Sequence, residues 1–176
     1  MPLNKGLRLF RSLPPSLGLL VLAVGLLTGC AKSLEDADRI LSDIVAETNA
    51  IRGYLKQHKM DSGTVIHPSG MIYRIWEPGD KSDTISLDEI PVVTYKRKLL
   101  GQDQIVEASP IPTSFDNRRL KDHILGWQYG LPLITKGGRI ELFIPSRLAF
   151  SDVGIPGKIP PNAILHCDIT LIDIRK

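Results

Sequence analysis

The segment that most restricts the fold is GIPGKIPPNAIL, residues 154 to 165, which runs into the alternating stretch ILHCDITLIDI. It holds three prolines (Pro156, Pro160, Pro161) and two glycines (Gly154, Gly157). A plain hairpin closes with two to five residues and seldom uses proline this heavily. Proline fixes φ and lowers the entropy lost on ordering, and glycine permits sharp bends, so the segment reads as a rigid loop at the mouth of a sheet. In the strand after it, Leu165, Cys167, Ile169 and Leu171 fall on one face.

Strand signals dominate the rest of this half. Met71 to Trp76 and Pro91 to Lys98 are rich in β-branched and aromatic residues, and Gln104 to Glu107 is a shorter, weaker strand. Lys136-Gly137-Gly138 turns into RIELFIP, where Ile140, Leu142 and Ile144 alternate onto one face. Residues 61 to 70 have loop composition, and 108 to 122, with Pro, Ser, Asp and Arg, are expected to be mostly loop. His123 to Ile134 carries the apolar content of a short helix ended by Pro132 and the following Lys-Gly-Gly. Many strands around one short helix define an α+β fold: an antiparallel sheet with a helix on one face.

Before this lies a helical stretch. Ser33-Leu34-Glu35-Asp36 reads as a capping box, and Ile40, Ile44, Ile51 and Leu55 recur at helical spacing as far as about Lys59. The amphipathic helix is either a spacer with a partner-facing stripe or a layer docked on the domain; the periodicity leaves both open.

The first residues form a targeting signal. Lys5, Arg8 and Arg11 make a basic region, and Leu17 to Leu27 is apolar throughout, too short to span a bilayer comfortably. Leu27-Thr28-Gly29-Cys30 resembles a bacterial lipobox, which implies cleavage before Cys30 and acylation of that residue. Several acyl chains on one residue hold a domain durably to a membrane.

Loss of residues 1 to 29 removes three bases and no acid, leaving 19 of each, so the basic balance of the whole chain belongs to the signal and gives no argument for nucleic-acid binding. With Cys30 acylated, Cys167 has no intrachain partner and no disulfide framework is expected. The four histidines show no zinc-like spacing, and neither a G-x-S-x-G elbow nor a phosphate-binding glycine loop occurs. No metal and no cofactor are expected.

Three segments in order carry a resemblance: VVTYKRKL; HILGWQYGLPLITKGGRIELFIPSRLAF; and GIPGKIPPNAIL with the strand after it. Together, over about Ser69 to Lys176, they resemble an FKBP-type peptidyl-prolyl isomerase domain. That likeness implies a strongly curved antiparallel sheet wrapped around one short α-helix, preceded here by the N-terminal amphipathic helix. It gives three parts: a signal peptide at 1–29, a lipidated terminus and helix at 30–60, and an isomerase domain at 69–176.

The resemblance also implies a substrate pocket. Trp127 corresponds to the indole floor under a proline ring, Tyr95 and Ile159 line the pocket, and Ile124 offers a backbone N–H to a substrate carbonyl. His123 shapes the rim, and Phe115 supplies an aromatic wall. This chain departs from the family at several places: Phe150 stands where a tyrosine hydroxyl is usual and Cys167 where an aromatic is usual, which leaves the pocket wider. The family's aromatic-aspartate pair falls on Val106-Glu107 or Ile105-Val106, and a histidine common in the proline loop is Ile155. The implied function is isomerisation of X–Pro bonds in exported proteins at a lipid-anchored site of the bacterial cell envelope. The expected place is the outer membrane, with the domain in the periplasm or at the cell surface. The alternative is a catalytically weak module of the same fold that binds peptide segments in an envelope assembly. Neither the oligomeric state nor the client is legible.

Overall fold

The computed structural model describes the backbone of residues 15–81 and 83–176, and side chains from Glu35 onward except at Ser82. Met1–Pro14 and the side chain of Cys30, which carry the expected signal and lipidation, lie outside the described residues. The chain divides into two compact units at Arg39/Ile40, and Ile40–Lys176 is the larger.

Helix α1 spans Pro15–Gln57. Ser33 therefore lies inside it and does not cap it: the leucine- and alanine-containing run before Ser33 has helix propensity of its own. Within the larger unit one stripe of α1 docks. Ile51 and Leu55 are fully buried against Ile72 and Phe143, and Ile44 packs on the main core. Ile40 and Leu41 are exposed. Polar contacts fix the docking: Thr48 Oγ1 donates to Gly70 O at 2.8 Å, Ser146 Oγ to Glu47 at 2.7 Å, and Arg147 pairs with Asp43 at 2.7 Å. Of the two readings of this helix, the segment from Asp43 to Leu55 is a docked layer.

The described strands are β1 (Val65–Ile66), β2 (Ile72–Glu77), β3 (Ile90–Leu99), β4 (Ile105–Thr113), β5 (Arg139–Ile144) and β6 (Leu165–Arg175). They form one curved antiparallel sheet in the order β1-β2-β5-β6-β3-β4. The short helix α2 (Leu125–Gly130) continues into a 3-10 turn, Leu131–Leu133, where Pro132 sits at the start and needs no N–H partner. β5 is buried from Ile140 to Ile144 because both its faces are covered. Ile140, Leu142 and Ile144 face the core beneath α2, and Phe143 faces α1.

β4 is longer than its composition suggests, since residues 108 to 113 are strand and not loop. It is an edge strand, where an absent proline N–H breaks no second ladder. Pro110, Ile111 and Pro112 fall between the Tyr95–Ser109 and Val93–Thr113 pairs, where the register shifts.

α2 lies close on β5 because Gly126 and Gly130 face it. A Cβ on Gly126 would come within 2.5 Å of Ile144 Cγ2, and one on Gly130 within 2.7 Å of Leu142 Cδ1. The glycine next to Trp127 thus sets the depth at which that indole enters the core.

Candidate functional site

Strand periodicity puts Tyr95 and Arg97 of β3 on the inner face of the sheet, and Cys167 of β6 lies directly across from Arg97. The loop after β4 brings in Phe115. Phe115, Asp116 and Asn117 all have positive φ (51°, 56°, 61°), a left-handed run that costs roughly 1–2 kcal/mol per residue. Local bonds hold it: Phe115 N–H to Thr113 Oγ1 at 3.2 Å and Arg118 N–H to Ser114 O at 3.0 Å. The 3-10 turn Leu120–Asp122 ends at His123, and Ile124 opens α2.

These elements build one aromatic cluster. His123 stacks on Trp127 with centroids 5.2 Å apart and planes at 17°. Tyr95 meets Trp127 edge-on at 5.3 Å, and Phe115 lies 5.4 Å from Tyr95, 5.0 Å from His123 and 5.7 Å from Trp127. The proline-rich loop closes on itself, with Ile155 N–H to Ile159 O at 2.7 Å and Ile159 N–H to Ile155 O at 2.9 Å. It thereby pushes Ile159 into the core and leaves Ile155 and Phe150 packed at its margin. Outside it the same loop encloses a groove of about 450 Å³ lined by Val153, Ile155 and Pro156 to Pro161.

A cation sits among the rings. The Arg97 guanidinium carbon is 5.3 Å from the ring centres of Trp127 and Phe150 and 5.6 Å from that of Tyr95. Its side chain is 8% exposed and is paired through Nη1 to Glu107, which is 35% exposed. Across the strand pair from Cys167 it is this arginine, and no aromatic of β6, that lies against the three rings. Trp127 is fully buried, so a ring laid on its indole must displace a side chain that now covers it.

Three buried side-chain nitrogens among the described residues have no hydrogen-bond partner: Arg97 Nε, His123 Nε2 and Trp127 Nε1. All three belong to this cluster. Buried polar groups in folded proteins are nearly always paired with protein, water or ligand, so three such atoms in one place single this cluster out as the candidate site. The backbone adds another: Ile124 gives its carbonyl to Trp127 and Gln128, while its N–H joins no hydrogen bond among the described residues.

Burial, reinforced by the charges of Arg118 and Arg97, pushes His123 down to about 4 and keeps it neutral near pH 7. Burial and then the charge of Glu107 push the Tyr95 hydroxyl up to about 12. Burial also raises the Cys167 pKa, so the thiol stays protonated, a weak acceptor beside Arg97 and Trp127.

All eight residues expected at the pocket come together: Tyr95, Trp127, Ile159 and Cys167 in the buried core, Phe115, Ile124 and Phe150 packed against it, and His123 stacked on Trp127. At the segment where the family's aromatic-aspartate pair falls, Val106 packs on the core and Glu107 pairs with Arg97. Arg97 escapes a sequence reading because arginine suggests solvent. The available signal was its position two residues after Tyr95, which puts both on one strand face.

The geometry agrees with comparison to known proteins. The family model for FKBP-type peptidyl-prolyl cis-trans isomerases matches residues 84–172. The chain belongs to this family. It is 34% identical to the FKBP-type peptidyl-prolyl cis-trans isomerase FkpA of Escherichia coli K12 over 134 residues, covering 74% of this chain and 48% of that protein. The chain thus spans about half the length of that relative. The crystal structure of E. coli FkpA superposes with a TM-score of 0.63 at 31% identity, over 89% of this chain and 71% of that one. A Pseudomonas syringae peptidyl-prolyl cis-trans isomerase superposes at 0.61 with 26% identity, over 74% and 95%.

Proposed function

We propose that the chain is a peptidyl-prolyl cis-trans isomerase acting on X–Pro bonds of exported proteins, anchored to a bacterial envelope membrane through acylated Cys30. The observation that carries the catalytic reading is the aromatic cluster around Trp127, where every unpartnered buried side-chain nitrogen among the described residues converges.

The reaction needs no nucleophile. An X–Pro amide rotates against a barrier of about 20 kcal/mol because twisting loses resonance. The twisted amide is less dipolar than the planar one, so a water-poor aromatic site favours it relative to the ground state. The Ile124 N–H is free to fix a flanking carbonyl, which holds one side of the bond while the other turns. Ile159 and Phe115 supply walls against the ring. Entry requires the side chains over Trp127 to move apart.

Full coverage of Trp127 supports a second reading, a weakly catalytic module that binds proline segments. NMR exchange spectroscopy on a blocked X–Pro peptide with detergent-solubilised protein separates the two. The first predicts accelerated cis/trans exchange. Binding at the uncatalysed rate would favour the second. For the anchor, mass spectrometry of the mature N-terminus should find acylated Cys30, and a Cys30→Ser variant should accumulate as unacylated precursor; any other mature terminus overturns it.

A further inference from the structure

The Arg97–Glu107 pair has no part in the mechanism above, yet its guanidinium lies against three rings of the site. Arginine keeps its charge at any working pH, so this buried cation needs more than one anionic or acceptor partner to balance it. Glu107 takes Nη1. Nε is left over, and so is the indole N–H of Trp127, whose ring centre is 5.3 Å from the guanidinium carbon. The neutral Cys167 thiol beside them is only a weak acceptor for the two donors and brings no negative charge.

What is missing is oxygen: two neighbouring buried N–H donors, one of them cationic, have none. A peptide carbonyl brings one oxygen and no charge. A carboxylate brings two oxygens and a negative charge, and the planar arginine fork matches it. The immediate surroundings do not already supply that charge in excess. Glu107 and Asp122 are offset by Arg97 and Arg118, which both act on His123. Glu107 is also the more exposed member of its pair, so it can yield a position to an incoming acid without burying a new charge alone.

We propose that Arg97 determines specificity here, selecting X–Pro segments in which an aspartate or glutamate neighbours the proline. The selectivity deepens the isomerase reading and rests on it for the proline itself. An apolar neighbour leaves Arg97 Nε unpaired, and a lysine neighbour adds a second cation beside the first.

The test uses detergent-solubilised full-length chain and acetyl-Ala-Xaa-Pro-Phe-amide peptides, blocked at both ends so that Xaa carries the only carboxylate. Xaa is Glu, Gln or Lys. Exchange spectroscopy gives kcat/KM, and fluorescence anisotropy of labelled peptides gives Kd. Glu should exceed its isostere Gln by about tenfold or more, as a charge-assisted hydrogen bond predicts, and Lys should be poorest. In Arg97→Met, which keeps most of the volume, the Glu-to-Gln ratio of Kd should fall to about one. Arg97→Lys keeps the charge without the fork and should retain part of the ratio even where Arg97→Met folds poorly. Equal, measurable values for Glu and Gln on the wild-type protein overturn the selectivity and leave the isomerase reading standing. A ratio that survives in Arg97→Met moves it to another cation and overturns the role of Arg97. Neither binding nor acceleration with any peptide overturns both readings together.

Discussion

Two buried charge clusters sit on opposite faces of the same sheet, and they are finished differently. On the outer face, under α1, Glu141 accepts from Arg74 Nε at 3.0 Å, from Arg74 Nη2 at 2.5 Å, and meets His166 Nε2 at 2.7 Å. Arg74 Nη1 donates to the carbonyls of Met60 and Ser62, so the loop after α1 is tied to β2. Burial pushes the Glu141 carboxyl up, but the hydrogen bonds and charges of His166 and Arg74 win and hold it at about 2. On the inner face Glu107 is the one carboxylate paired with Arg97 among the described residues, and the buried Nε stays open. A closed network fixes structure and an open one waits for a partner. On that contrast α1 and the outer face serve stability, and the proposed binding falls to the aromatic face.

The largest expected effects test that division directly. Glu141→Ala leaves Arg74 buried without its acid and should cost about 3–5 kcal/mol. Trp127→Ala should cost a similar 3–5 kcal/mol through the cavity it opens. Denaturant unfolding should place the two together. Peptide anisotropy on the folded fraction should part them, with binding kept in Glu141→Ala and lost in Trp127→Ala. Loss of binding in both would mean the faces are not separate in role.

Next is Cys167→Phe. Arg97 already occupies the space across from Cys167, so an added ring should overpack the site and cost about 1–3 kcal/mol. Adding Arg97→Ala to it should recover most of that loss, because the two positions compete for one volume. Melting curves of the single and double variants decide it: no recovery would show that the arginine is not what fills the gap.

Acid separates the faces by pH window. His123 has a folded pKa near 4, below its ordinary 6.5, so the unfolded chain binds its proton first and stability falls as pH drops from about 6.5 to 4. Glu141 has a folded pKa near 2, below its ordinary 4.5, so its contribution is complete above about 4.5 and lost only below that. His123→Gln should flatten the upper window and leave the lower one intact. A Tm profile whose upper slope is unchanged in that variant assigns the slope to another group.

How much of this was legible before the structure depends on what each residue's neighbours supply. The proline loop, Gly126 beside Trp127, and the alternation of β5 and β6 are local; such patterns point to the sheet and the short helix, whereas the eight site residues follow only from the family resemblance those segments carry. β4 was shortened because Pro110 and Pro112 argue against a strand until it is known to be an edge. The Ser33 cap failed because a capping motif looks the same inside a helix as at its start. Arg97 was missed because its burial depends on a neighbour 70 positions along the chain, Cys167, being small. Pairing across strands is a property of register, and one sequence does not display register.

The smallest effect belongs to the open pair itself. Glu107→Gln keeps the side chain's size and one acceptor while removing its charge. Gln still offers Arg97 an oxygen and the carboxylate it replaces is one-third exposed, so the stability loss should be about 1 kcal/mol, well short of removing Glu141 outright. Its signature should be electrostatic. Glu107 is the second cause, after burial, of the raised Tyr95 hydroxyl at about 12. Removing that charge should lower the Tyr95 pKa while burial keeps it above 10, which difference ultraviolet titration of tyrosinate would read. Arg97, left with less counter-charge, should then take an acidic peptide more tightly than the wild-type protein does. A rise in Glu-peptide affinity with little change in Tm makes the inner pair a ligand site, whereas a fall in Tm of the size seen in Glu141→Ala makes both pairs structural and removes the contrast between the two faces.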